Sequence, residues 1–316
     1  MSPTAVRKPT ARQTAAAPAP NVRRCCISVR GIVQGVGFRP MVYRMANERG
    51  LTGWVRNDAQ GVRIEIVGTP DLLSDFLDCL PKELPPHSRI HQMEHVWLDA
   101  AGYDDFQILP SDESGRKELF MQSDLSVCEN CLLEIRDPRN RRYRYPFTNC
   151  THCGPRYSMM LALPYDRANT TMKDFRMCAD CMAEFNNPSD RRFHAQPNAC
   201  PVCGPSLKLW SPDGNVLAEK DAALTSCVQM LKVGKILAVK GLGGFHLMAD
   251  AGNYETVEIL RQRKHRKEKP FALMAPSFEW VHRFCQVSET EQKLLCSSER
   301  PIVLLKRTAG ADAGIT

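Results

Sequence analysis

The sequence predicts an α+β chain of several domains, and three observations carry that expectation. Strand-like and helix-like patterns alternate between Arg23 and about residue 112. A block of Cys-x-x-Cys pairs then recurs at a 50-residue offset, and beyond about residue 220 short apolar runs and a helical pattern return.

In the first segment Arg24–Val33 reads as a strand, Pro40–Arg49 as a helix and Leu51–Asn57 as a second strand. Gly61–Gly68 alternates apolar and polar residues and gives a third strand. Pro70–Leu80 places Leu73, Phe76, Leu77 and Leu80 on one helical face. Ile90–Leu98, with a short piece near Phe106–Leu109, completes a βαββαβ order, the ferredoxin-like split βαβ arrangement.

In the second segment Cys128, Cys131, Cys150 and Cys153 match Cys178, Cys181, Cys200 and Cys203. Glu134 matches Glu184, Arg141-Arg142 matches Arg191-Arg192, and Gly154-Pro155 matches Gly204-Pro205, so a whole module is duplicated. Eight thiolates suffice for two tetrahedral zinc ions. The simplest assignment gives each set of four one metal, while the spacing leaves an interleaved pairing open. Neither set spares a coordination position, so the zinc is expected to be structural. In the third segment Ile236–Lys240 reads as a buried strand and Asn253–Arg263 as a helix with Val257 and Leu260 inward. Phe271–Met274 and Ile302–Leu305 read as further strands. That pattern reaches Thr316 without an evident closing element, which reads as a domain cut near its middle.

Charge and composition narrow the function classes. Of the net +7, residues 1–47 contribute eight Lys or Arg and no acids, leaving −1 for the rest. The two modules carry 11 basic and 8 acidic residues between 128 and 203, too weak an excess for a nucleic-acid footprint. Residues 1–22 are rich in Ala, Pro and Thr and lack the apolar stretch of a signal peptide, so we read a disordered tail rather than a transit peptide. No apolar run approaches the roughly 20 residues that span a bilayer, so no membrane partner is expected. Cysteine pairs without a secretory signal point to a reducing, cytoplasmic setting.

The first strand feeds its helix through Arg30-Gly31-Ile32-Val33-Gln34-Gly35-Val36-Gly37-Phe38-Arg39. The glycines let successive N–H groups of Gln34, Gly35, Val36, Gly37 and Phe38 turn toward one centre, and the helix N-terminus adds partial positive charge. Arg39 can hold two phosphate oxygens with one planar fork. A bare Gly-rich turn would read as a simple junction, but this run is longer and matches, residue for residue, the signature of the acylphosphatase family. That resemblance implies a second residue: Asn57, in Gly53-Trp54-Val55-Arg56-Asn57, orients the attacking water while Arg39 binds the phosphoryl group.

The loop followed by doubled cysteine pairs resembles the HypF family of carbamoyltransferases of nickel–iron hydrogenase maturation. Tyr145-Pro146-Phe147-Thr148-Asn149-Cys150, Pro164-Tyr165-Asp166-Arg167 and Arg191-Arg192-Phe193-His194-Ala195-Gln196-Pro197 support it. Lys240-Gly241-Leu242-Gly243-Gly244-Phe245-His246-Leu247 and Arg263-Lys264-His265-Arg266 resemble the start of that family's YrdC-like domain. The resemblance implies carbamoyl phosphate as substrate and ATP with Mg as a second substrate, with nucleotide phosphates on Lys264 and Arg266. It also implies transfer of the carbamoyl group to the terminal cysteine of a HypE-type partner. Lys264 and Arg266 read equally as a solvated helix end. The expected organisation is a tail over 1–22, an acylphosphatase-like domain over 23–112, a tandem zinc-finger domain over 120–207 and a partial YrdC-like domain over 220–316. The later nucleotide motif and the transfer domain are missing, so only the first chemical step is expected of this chain.

Overall fold

The computed structural model describes residues 13–14, 21–99, 102–112, 123–266 and 268–308. Most of the tail expected over 1–22 lies outside them; the backbone of Gln13–Thr14 pairs with that of Gly102–Tyr103. The chain divides into two units, residues 1–204 and 205–316.

The first unit opens with β1 (Arg23–Ile32), α1 (Phe38–Glu48), β2 (Thr52–Asn57), β3 (Val62–Gly68), α2 (Pro70–Cys79), β4 (Arg89–Leu98) and β5 (Phe106–Ile108). The sheet order is β4-β1-β3-β2-β5, with every pair antiparallel except β2 with β5. Alternation along the strands sets the core: Cys25, Ile27 and Val29 of β1 and Val62, Ile64 and Ile66 of β3 point to one face. Helix α1 answers with Phe38, Met41, Val42 and Met45 at helical spacing, and α2 with Leu73 and Phe76. Leu80 is buried beside them, and Leu77 packs at the margin. The expected βαββαβ order is therefore the observed one. Because both crossovers are covered by helices, the β1–α1 junction is anchored at its strand end by the sheet and at its helix end by the core.

The cysteine segment has little regular structure. Helices α3 (Glu129–Arg136) and α4 (Ala179–Asn186) each start at the first cysteine of a set, Cys128 and Cys178. The repeat extends to the backbone: Arg144 and His194, 50 positions apart, both have positive φ, at 58° and 54°. Each closes the same turn, Arg144 N–H donating to Ile135 O at 2.8 Å and His194 N–H to Phe185 O at 2.9 Å.

The second unit contains the hairpin β6 (Lys208–Trp210) with β7 (Val216–Glu219), helix α5 (Lys220–Lys232), and the hairpin β8 (Leu237–Lys240) with β9 (Phe245–Met248). Helix α6 (Tyr254–Arg263) is capped by Asn253, whose Oδ1 accepts from Thr256 N at 3.0 Å, and it buries Val257 and Leu260 as expected. Helices α7 (Phe278–Phe284) and α8 (Glu289–Leu295) follow, with β10 (Cys285–Gln286) pairing β11 (Lys306–Arg307). Three expectations need correction here. The strand expected over Ile236–Lys240 is present, but it is half-exposed rather than buried. Phe271–Met274 and Ile302–Leu305 are not strands, and Met274, Ile302 and Leu304 stand 87%, 82% and 84% exposed. A strand exists only where a neighbour accepts its N–H and C=O groups, and no described residues flank these runs in that way.

Phe76 is fully buried between α2 and the sheet. Phe76→Ala is expected to cost about 3–5 kcal/mol through lost burial and the cavity left behind. Urea unfolding of the first unit should show a lowered midpoint with an unchanged slope.

Candidate active site and metal centres

The loop between β1 and α1 has the shape that its glycines predict. Gly35 and Gly37 sit at φ of 74° and 83°, the left-handed region that side chains resist. Gly37 is the N-cap of α1 and provides no side-chain cap, so the first N–H groups of the helix are not consumed there. Val36 and Phe38 turn their side chains into the core, which leaves their backbone for the loop. The Gln34 side chain is engaged within the protein. Its Nε2 donates to Asp58 O at 2.8 Å and Gly61 O at 2.7 Å, and its Oε1 accepts from Tyr165 N at 3.0 Å. Gln34 thus fastens the loop to the β2–β3 turn.

Asn57 ends β2 and is 1% exposed, yet neither its Oδ1 nor its Nδ2 has a hydrogen-bond partner among the described residues. Buried side-chain amides are normally paired, so this one is available to hold a small polar group. Its backbone O accepts from Asp112 N at 2.9 Å, and the neighbouring Ser111 Oγ lies 3.4 Å from Arg39 Nη1. Residues 111–112 therefore connect Asn57 and Arg39, two groups that the sequence placed 18 positions apart.

The cysteine segment covers this site, which sequence reasoning missed. Arg156, 1% exposed, donates through Nε to Gly35 O, through Nη1 to Cys153 O and Pro155 O, both at 2.9 Å, and through Nη2 to Cys150 O at 2.9 Å and Thr151 O at 2.8 Å. Asp166 Oδ1 accepts from Arg39 Nη2 at 2.8 Å. A cleft beside the loop is lined by Gly35, Gly37 and Arg39 on one side and Thr151, Tyr165 and His194 on the other. Pro164-Tyr165-Asp166-Arg167 was visible in the sequence as a distinctive word, but no spacing rule could place it on Arg39.

The two sets of cysteines assemble without interleaving. Within each, all four Sγ atoms lie within 4.8 Å of one another. Cys128–Cys150, Cys131–Cys153 and Cys150–Cys153 are 3.7, 3.5 and 3.8 Å apart, and Cys178–Cys200, Cys181–Cys203 and Cys200–Cys203 are 3.7, 3.6 and 3.8 Å. Tetrahedral Zn–S bonds of about 2.3 Å require sulfur–sulfur edges of about 3.8 Å, so both sets fit a structural zinc.

Each module supplies the charges that surround the other's sulfurs. Arg191 Nη1 lies 3.1 Å from Cys131 Sγ, and Arg141 Nη2 lies 3.3 Å from Cys181 Sγ. Glu134 pairs with Arg191 (2.7 Å) and Arg192, while Glu184 pairs with Arg141 (2.7 Å) and Arg142 (2.6 Å). Burial pushes the Glu184 carboxyl up, but Arg142 and Arg141 outweigh it and hold the group at about 2. The matched Glu and Arg residues of the repeat are thus the joint between its halves.

Lys264 and Arg266 lie in the second unit. Lys264 ends α6. Arg266 donates through Nε to Lys269 O at 3.1 Å and through Nη2 to Pro270 O at 2.7 Å, and its guanidinium lies 5.3 Å from the Phe271 ring.

A buried amide, an arginine and a glycine-rich loop on a βαββαβ sheet define an acylphosphatase-type fold and site, here capped by paired four-cysteine modules. Comparison with known families agrees. Residues 25–108 match the acylphosphatase model, 127–160 and 177–210 the HypF finger model, and 229–315 the model described as Telomere recombination (Sua5, YciO, YrdC). The chain belongs to the HypF family. It is 52% identical over 286 residues to the carbamoyltransferase HypF of Synechocystis, an alignment covering 90% of this chain and 37% of that protein. It is 47% identical to a probable carbamoyltransferase HypF of Methanocaldococcus jannaschii, over 90% of this chain and 37% of that one. An acylphosphatase of Salinibacter ruber is 39% identical over 80 residues, 25% of this chain and 83% of that enzyme. A crystal structure of full-length HypF in its phosphate- and nucleotide-bound form aligns with TM-score 0.83 and 42% identity, over 93% of this chain and 38% of that one. The chain spans just over a third of the length of the HypF relatives it matches.

His194 gives the site a titratable probe. Burial, with Arg39 adding to it, lowers its pKa to about 4, against the ordinary 6.5 of a histidine. The unfolded chain therefore binds a proton that the folded chain refuses between about pH 6.5 and 4, so stability falls as pH drops through that window. The loss should reach about 3 kcal/mol near pH 4. Denaturant titrations across pH 4–7 should show this slope in the wild type and a flatter one in His194→Gln.

Proposed function

We propose that this chain binds carbamoyl phosphate at the β1–α1 loop and hydrolyses it, the first step of a HypF-type carbamoyl transfer. The observation that carries the reading is the buried, unpartnered side-chain amide of Asn57, joined through residues 111–112 to Arg39. The N–H groups of Gln34, Gly35, Val36, Gly37 and Phe38 and the Arg39 guanidinium take the phosphoryl oxygens. Asn57 orients a water in line with the departing oxygen. The water oxygen bonds to phosphorus and the P–O bond to the carbamoyl carbon's oxygen breaks. Carbamate, inorganic phosphate and one proton leave. Such catalysis is positioning and charge stabilisation by groups already in place.

The remaining roles follow the family resemblance. Zinc on Cys128, Cys131, Cys150 and Cys153, and on Cys178, Cys181, Cys200 and Cys203, would be structural, supporting the cover over the loop. The fit of residues 229–315 to the Sua5/YrdC model supports a nucleotide-binding region, with Lys264 and Arg266 as its phosphate contacts. In the longer family protein carbamate would be activated there with ATP and Mg, and the carbamoyl group passed to the terminal cysteine of a HypE-type partner in hydrogenase maturation. The domain limits we propose are 23–112, 120–207 and 220–316. Fourteen cysteines outside any disulfide among the described residues favour the cytoplasm, and no described helix is long and apolar enough to cross a membrane.

Phosphate release from carbamoyl phosphate by the zinc-replete chain tests the reading. Arg39→Ala and Asn57→Ala should each lower it about 10²–10³-fold while leaving the thermal unfolding profile close to wild type. Absence of release from a folded wild-type chain would instead leave the loop as a scaffold.

Zinc removal offers a separate check. Chelation should unfold the segment around residues 128–203, seen as new proteolytic cleavage there, because metal binding supplies folding energy that these short loops lack. Resistance of that segment to protease after complete metal loss would contradict a structural role.

A further inference from the structure

Arg39 is shared between two neighbours of different origin. The phosphate loop belongs to the acylphosphatase-matched residues 25–108, whereas Asp166 lies outside them, between the two cysteine modules. Its Oδ1 accepts from Arg39 Nη2 at 2.8 Å, and its side chain stays 27% exposed, so the carboxylate keeps an open side. The strap carrying it is held on both sides. Tyr165, fully buried, donates its N–H to Gln34 Oε1 at 3.0 Å, and Arg167 donates its N–H to Gln196 Oε1 at 2.8 Å. The Asp166 carboxylate is therefore fixed at the edge of the site rather than swung there by chance.

A carboxylate beside a phosphate cradle is costly unless the substrate gives it something to do. It repels phosphoryl oxygens, so the phosphoryl group belongs on the loop N–H groups and the opposite side of the guanidinium. The part of an acyl phosphate that can face Asp166 is the uncharged acyl end. Most acyl groups offer nothing there, since an acetyl methyl cannot donate a hydrogen bond. A carbamoyl group carries an amide NH2 on its acyl carbon and can. A half-buried acceptor of this kind disfavours the analogue that leaves it unpaired, a discrimination that size alone does not supply.

Resting on the proposed hydrolysis, we propose that Asp166 is a specificity-determining residue that accepts a hydrogen bond from the carbamoyl NH2 and selects carbamoyl phosphate over other acyl phosphates. The cysteine segment would then do more than shelter the loop: the strap between its two modules supplies the group that reads the acyl end.

The test compares kcat/KM for carbamoyl phosphate and acetyl phosphate in the wild-type chain, Asp166→Ala and Asp166→Asn. Asp166→Ala should lower the preference for carbamoyl over acetyl phosphate by about tenfold or more. Asp166→Asn, which keeps an acceptor and the side-chain shape, should retain part of it. An equal fall on both substrates in both variants would reduce Asp166 to a residue that merely positions Arg39, and an unchanged ratio would also overturn the assignment. If the wild-type chain hydrolyses neither compound, the proposed hydrolysis itself fails, an outcome distinct from a lost preference.

Discussion

The guanidinium of Arg156 is the point on which the first unit turns. It is buried, and among the described residues its guanidinium has no carboxylate partner; instead it donates to the carbonyls of Gly35, Cys150, Thr151, Cys153 and Pro155. A buried charge is tolerable only when its donors are satisfied and a compensating charge lies near. Here the carbonyls satisfy the donors, and Cys150 and Cys153, whose four-thiolate set would carry net negative charge around a zinc, lie on the same turn. One side chain thereby ties the conformation of the phosphate loop to that of a metal knuckle. The loop's glycines permit its shape, but Arg156 and Gln34 decide which of the permitted shapes persists.

The same logic joins the two cysteine modules. A four-thiolate cluster repels itself and attracts cations, and each module answers the other's need with an arginine pair and a glutamate. Arg191 approaches Cys131, Arg141 approaches Cys181, and Glu134 and Glu184 bridge to the facing arginines. Residue i of one copy meets residue j of the other and the reverse holds, the reciprocity of a two-fold interface contained within one chain. Such a joint explains why a segment with so little apolar core can present a fixed surface, including Asp166 and His194, to the loop beside it.

The second unit follows a different economy. Three of its four described helices carry a side-chain N-cap, Ser288 forming a reciprocal capping box with Glu291, yet its strands are short and many apolar side chains stand in solvent. Local signals were read correctly where they were self-sufficient, as in α6 with its Asn253 cap. They failed at Phe271–Met274 and Ile302–Leu305, whose strand character depends on a neighbour that composition cannot supply.

The sequence by itself determined the βαββαβ order, the loop at Gln34–Arg39, the duplication and the eight metal-type thiols, because each is written in spacing over a few residues. It marked Asn57 only through resemblance, and it marked Glu134, Glu184 and the arginine pairs as repeated without saying why. Tertiary structure alone decided that the cysteine sets do not interleave, that the Gln34 side chain braces the loop, and that Arg156 and Asp166 close over it. Those contacts join residues more than 100 positions apart, Asp166 with Arg39 and Arg156 with Gly35. No local period encodes such pairs; they exist only once the sheet, the metal knuckles and the buried charges have been packed against one another.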